Sequence, residues 1–233
     1  MPPRPTARER VRAEITREIT DIARTQLAAH GAAALSLRAV ARDLGMVSSA
    51  VYRYFSSRDE LLTALIIDGY DALGAAVEQA DASRPRDDYA GRWRAVTRAA
   101  RDWAVAHPHE YALLYGSPVP GYQAPEDTIA PAARSAAVFG RLVSEAHAAG
   151  ALHPDPARGP VPPTLTADLE RLREAVLPGV PRDVAATALT SWAGVFGVIS
   201  FELFGQFTNV ITDLSAYFDY AVASLARLVG LPA

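Results

Sequence analysis

The stretch Ser36 to Leu62, SLRAVARDLGMVSSAVYRYFSSRDELL, limits what this chain can fold into more than any other. Leu37, Val40, Ala41 and Leu44 recur at three- and four-residue intervals, so they share one face of a short helix and pack inward. Ser36 is placed to cap that helix, and Gly45 permits the positive backbone φ that a tight helix exit favours. A second apolar set, Ala50, Val51, Tyr54 and Phe55, follows almost at once. Two short helices meeting at a sharp turn form a helix-turn-helix, a unit whose second helix can enter a DNA major groove.

The charges point to the same end of the chain. From Met1 to Arg58 ten Arg stand against five acidic residues, a balance of +5, while the remainder carries −8 and the whole chain −3. Every basic residue is Arg. Together with the Ala and Pro excess this fits a genomic base-composition effect, so Arg identity alone is not read as phosphate recognition. Half of the 233 residues are hydrophobic, enough for one large or two modest cores. The absence of Cys excludes disulfides, thiolate metal sites and a Cys nucleophile, and fits a reducing, cytoplasmic setting. The start MPPRPTARERVRAE lacks the apolar core of a secretory signal, and the apolar run Ser191 to Phe201 is interrupted by Glu202. No membrane span is expected.

The pattern is helical from end to end. Met1 to Thr6, with three prolines, is expected to be an arm; Ile15, Ile19, Ile22 and Leu27 mark a first helix ending near Gly31. Arg8, Arg10, Arg12 and Arg17 crowd its start, where cations oppose the helix macrodipole and an external anion would suit them. Leu61, Leu62, Leu65, Ile66, Tyr70, Leu73 and Val77 carry one stripe through a long connecting helix. Further helices are expected at Tyr89–Ala106, from His109 to Tyr115, from Ile129 towards Gly150 and from Ala167 to Val176, with a five-proline loop from Pro154 to Pro163. Two long helices, from about Arg182 to Phe207 and from Asp213 to Val229, have apolar faces too wide for one partner, and small residues such as Gly194 and Gly197 allow close helix approach. The expectation is an all-α chain: a three-helix DNA-binding domain over 1–58 and a helical bundle for ligand binding and dimerisation over 59–233.

The residues Ser36-Leu37-Arg38-x-Val40-Ala41, Leu44-Gly45, Ala50-Val51-Tyr52-Arg53-Tyr54-Phe55 and Arg58-Asp59-Glu60-Leu61-Leu62 resemble the TetR family of bacterial transcription regulators in order and spacing, and Trp192 to Gly205 looks like the penultimate helix of one of its C-terminal subtypes. The resemblance implies a homodimer on a palindromic DNA operator, the two recognition helices lying roughly 34 Å apart in successive major grooves. It implies base contacts from Ser48, Ser49, Ala50, Tyr52 and above all Arg53, and phosphate contacts from Ser36, Arg38, Tyr54 and Arg58, with the Tyr54 ring itself facing the core. Val47 stands where the family usually has a polar cap and Ser49 where Gly or Pro is frequent, which leaves the start of the recognition helix open, with Ser48 one choice.

A regulator of this kind is switched by a small effector that binds its two states differently. Trp93, Trp103, Tyr111, Tyr115, Phe139, Trp192 and Phe196 are the candidates to line a largely apolar pocket, against the plain alternative of ordinary core packing. Gly194, Gly197, Phe201, Phe218 and Leu225 are the candidates for the dimer interface. The His residues have no metal-ligand spacing, and the chain has no phosphate loop, nucleophile elbow or paired-acid motif, so neither a metal, a cofactor nor an enzymatic activity is expected. The competing reading is an all-α small-molecule-binding protein or enzyme whose helix-turn-helix is only structural; the +5 of the first quarter argues against it.

Overall fold

The structure is a computed structural model that describes residues 6–155 and 159–232, and all regular structure among them is helical. Most of the arm expected at Met1 to Thr6 and the middle of the Pro154 to Pro163 stretch lie outside the described residues. Ten α-helices follow in order: α1 (Ala7–His30), α2 (Leu37–Asp43), α3 (Ser48–Val51), α4 (Arg58–Ala82), α5 (Tyr89–Ala106), α6 (Pro108–Tyr115), α7 (Ile129–Ala148), α8 (Thr166–Val176), α9 (Arg182–Leu203) and α10 (Leu214–Val229). Thr6 is the cap of α1 and no part of an arm. Its hydroxyl accepts from Glu9 N while the Glu9 carboxylate accepts from Thr6 N, a reciprocal capping box that puts an acid among the arginines of the first turn.

The helices form two compact units. One takes the chain up to Gly69 and then His107–Ile129; the other takes Tyr70–Ala106 and the chain from Ala130 onward. The expected boundary after residue 58 therefore falls inside the first unit, which also recruits α6 and the loop behind it. The reason is apolar. Leu113, Val119 and Tyr122 pack against the core made by Ile19, Ala23, Leu37, Val40, Val51, Phe55, Leu61 and Leu65. Polar contacts add to this: Arg24 bridges Asp68 at 2.7 Å and Glu110 at 3.0 Å, and Thr63 Oγ1 lies 2.9 Å from the Tyr122 hydroxyl.

In the second unit α9 and α10 lie against each other, closely enough that a Cβ on Gly194 would come 2.8 Å from the Leu225 side chain. Ser191 Oγ donates to Leu225 O at 3.0 Å, and the Trp93 indole N–H donates to Val222 O at 2.9 Å. A charged cluster in the same unit is buried at Arg92 and Asp81 and open at Glu145. Arg92 is 0% exposed and donates to Asp81 Oδ1 at 2.8 Å, Glu145 Oε2 at 2.7 Å and Arg86 O at 2.8 Å, so a buried cation has all its neighbours in place. Glu202, which breaks the apolar run of α9, is held by a two-pronged pair with Arg101 at 2.6 and 2.8 Å. Among the described residues α9 is the one helix long and apolar enough to cross a membrane. Here its Val184, Ala185, Val195, Phe196 and Ile199 are buried in the bundle.

Candidate nucleic-acid interface

The turn that presents α3 is built by its sequence. Gly45 has φ 67°, and with it Met46 N donates to Ala41 O at 2.8 Å and Gly45 N to Arg42 O at 3.0 Å, the paired bonds that close a helix C-terminus and redirect the chain. α3 then starts at Ser48 with Val47 as its cap residue, 71% exposed and without a side-chain cap bond. Tyr54 N and Phe55 N donating to Val51 O carry the backbone one turn past α3. Val51 and Phe55 anchor this segment in the core. Alternation around the turn leaves Ser49, Tyr52 and Arg53 exposed, with Ser48 and Ala50 half-buried beside them.

Around this strip the expected phosphate holders divide. Ser36 is the cap residue of α2 and makes no side-chain cap bond, and Arg38 is exposed on the first turn. The Tyr54 ring packs against the core and lies under the Arg12 guanidinium, 5.2 Å from its centroid. Arg58, expected at a phosphate, donates to Ala32 O at 2.9 Å, Ala33 O at 3.3 Å and Leu35 O at 3.2 Å, tying α4 to the link between α1 and α2. Its guanidinium is thus committed to backbone carbonyls within the protein. Arg12, expected with its neighbours at an external anion, contacts the protein itself: its Nη2 lies 3.5 Å from Arg53 O, so α1 touches the exit of α3. α4 begins with Ser57 Oγ accepting from Glu60 N, while the Glu60 carboxylate accepts from Ser56 Oγ and N. Those bonds from Ser56 hold the Glu60 carboxyl below the usual range.

Comparison with known proteins decides what this geometry belongs to. Residues 19–65 match the family described as bacterial regulatory proteins, tetR family, and residues 93–225 match the tetracyclin repressor-like C-terminal domain. The HTH-type transcriptional regulator Rv1816 of Mycobacterium tuberculosis is 45% identical over 216 residues, spanning 91% of each chain, and Mb1846 of Mycobacterium bovis matches equally. The chain belongs to the TetR family of transcriptional regulators. The crystal structure of SCO4313, a candidate regulatory protein, is 37% identical with a TM-score of 0.78 and covers 95% of this chain and 100% of its own. A protein of unknown function from Rhodococcus sp. RHA1 is 25% identical with a TM-score of 0.70, covering 92% of this chain and 95% of its own.

The second unit of this TetR-family regulator contains a cavity of about 220 Å³. Trp93 of α5 and Phe139 of α7 meet edge to face at 5.6 Å in its wall, and Trp192 of α9 completes the aromatic part. The rest is small or aliphatic: Ala136, Gly140 and Val143 of α7, Leu172, Ala175 and Val176 of α8 with Leu177 after it, and Ala188 and Leu189 of α9. Gly140 has a reason, since a Cβ there would run into Val176 O. Of the other aromatics expected at a pocket, Phe196 is buried and touches Trp192 at 5.2 Å, Trp103 is buried in the same unit, and Tyr111 and Tyr115 stack at 5.0 Å within the first unit. The residues expected at a dimer interface also separate. Gly194 and Leu225 face each other within the chain and Phe218 is buried, whereas a Cβ added to Gly197 would meet nothing within 4 Å and Phe201 is 53% exposed.

Proposed function

We propose that this TetR-family regulator is a cytoplasmic homodimeric repressor that grips a palindromic operator with α3 in successive major grooves and lets go when a small apolar effector enters the cavity of its second unit. The observation that carries the DNA-binding half is the exposed strip Ser49, Tyr52 and Arg53, with half-buried Ser48 and Ala50 beside it, on a segment whose opposite side is locked in the core. Arg53 is the main base reader in this reading, since an arginine can meet a guanine edge with two bonds. Ser36, Arg38 and the Tyr54 hydroxyl hold phosphates and set register. Arg58 supports the fold of the site and does not enter it.

Dimerisation is supported by an apolar face that the chain leaves open. Ala193, Gly197 and Phe201 recur along α9 with Tyr220 and Leu228 on α10, all exposed. The same face accounts for the apolar composition of α9, whose other side is core, without a bilayer. The effector half is supported by the cavity, and no catalytic activity is assigned. The test is a titration of a fluorescent operator duplex by anisotropy together with sedimentation of the complex. Two protomers per operator are expected; one protomer bound with full affinity contradicts the dimer, and affinity independent of duplex sequence contradicts the operator.

A further inference from the structure

The walls of the second unit's cavity restrict the chemistry of what can enter it, on the reading that this is the effector site. No side chain in the lining carries a charge, a hydroxyl, an amide or an imidazole. The only side-chain nitrogens there are those of Trp93 and Trp192. The Trp93 indole N–H is engaged by Val222 O, while the Trp192 indole N–H is shielded from solvent and has no partner. A carboxylate or ammonium entering such a space gives up its hydration and meets no counter-charge, a loss that apolar contact over one small skeleton does not offset. Size sets a second limit. A dry, closed apolar cavity of about 150 Å³ holds benzene; this pocket is open on one side, where Leu189 is 44% exposed, so its 220 Å³ encloses a skeleton roughly one and a half times larger, about ten carbon atoms, and any further part of a guest lies at the mouth. The edge-to-face pair Trp93–Phe139 offers ring surfaces to a flat guest.

We propose that the effector is an uncharged, largely hydrocarbon molecule of about ten skeletal carbons, bicyclic aromatic in shape, with at most one neutral acceptor to take the hydrogen of Trp192 Nε1, and that ionised acids and amines of the same skeleton are refused. The test titrates naphthalene, methyl 1-naphthoate, 1-naphthoate and 1-naphthylmethylammonium into the full chain at neutral pH, reading tryptophan fluorescence and the unfolding midpoint. Naphthalene and the ester bind with Kd at least ~100-fold below either ion. Ala188→Phe fills the cavity and abolishes that binding; Ala136→Leu, a smaller filling, weakens it should the first variant lose its helical circular dichroism. Naphthoate binding as well as its ester, or neutral probes binding the filled but folded variants unchanged, overturns the proposal, as does no binding by any of the four. Release of a selected operator duplex separates the two claims. Ester binding with the stated selectivity but unaltered DNA affinity keeps the ligand class and removes the effector reading, whereas release by naphthoate alone keeps the effector reading and removes the class.

Discussion

The helix-turn-helix and the second unit bury their apolar helices through contacts of different reach. In the helix-turn-helix, Leu37, Val40, Ala41, Val51, Phe55, Leu61 and Leu62 close one core from positions that follow one another along the chain, and the turn at Gly45 is bonded by its immediate neighbours. In the second unit the partners are remote: Arg92 meets Glu145 across 53 residues, Arg101 meets Glu202 across 101, and Trp93 meets Val222 across 129. The first arrangement fixes one outward strip in place. Each unit leaves an unfilled space, about 270 Å³ in the first with His109 and Ser117 in its wall and about 220 Å³ in the second with no charged or hydroxyl side chain in its wall. The contrast suits the proposed roles: a locally built strip for DNA and an apolar wall, assembled from distant helices, for a ligand.

The sharpest way to break this contrast is to remove a long-range contact. Arg92→Leu removes the buried cation and leaves Asp81 and Glu145 with the more exposed Arg86, and is expected to cost about 1.5–3 kcal/mol in urea unfolding. A loss below about 1 kcal/mol would mean that the second unit does not depend on the pair. The glycines of α9 come next. Gly194→Val presses on the methyl ends of Leu225 in the same chain, which must shift, and should destabilise the subunit by about 1 kcal/mol. A Cβ at Gly197 meets nothing within 4 Å in its own chain, so Gly197→Leu should leave the subunit folded while sedimentation shows a weakened dimer; an intact dimer removes that face from the interface.

Two arginines separate fold from recognition in the first unit. Arg58→Ala breaks three bonds to carbonyls and is expected to lower stability by about 1–3 kcal/mol, followed by circular dichroism melting. Arg38→Ala should change stability by less than about 0.5 kcal/mol yet weaken binding on all sequences and reduce the salt slope by about 1. Equal melting of both variants would erase the distinction. The smallest expected effect is the pH dependence of the α4 start. Bonds from Ser56 lower the Glu60 carboxyl below its ordinary 4.5, so its stabilising contribution is present above that value and fades as pH falls through the lower folded one. Glu60→Gln should flatten this part of an acid-unfolding profile, and an unchanged profile contradicts the assignment.

What the residues alone disclose follows the same division. The helix Tyr89–Ala106 is bounded as its spacing predicts, because Trp93, Val96, Ala100 and Trp103 mark one face and His107-Pro108 ends it. The α2–α3 turn is legible because its bonds lie within a few residues of Gly45. Arg58 is not, since its carbonyl acceptors sit 23 to 26 residues upstream in an Ala-rich link with no polar side chain to signal them. The cavity is legible only in its aromatic part, Trp93, Phe139 and Trp192. Ala136, Gly140 and Ala188 line it through smallness, and an aromatic count has no means of weighing them. Tyr111 and Tyr115 share the aromatic signal but fold with the first unit, because α6 follows the packing of Leu113 there. Gly194 and Gly197 look alike in sequence, and only the position of α10 tells them apart.

The central claim is that α3 reads DNA through its exposed strip, and selection of bound duplexes from a random pool tests it directly. The wild-type protein should enrich a palindrome whose half-sites lie about 10 base pairs apart, centre to centre. Arg53→Ala should enrich the same palindrome with preference relaxed at one symmetric pair of positions, by about 1–3 kcal/mol per contact. No enriched sequence, or an Arg53→Ala motif identical to that of the wild type, would contradict the account.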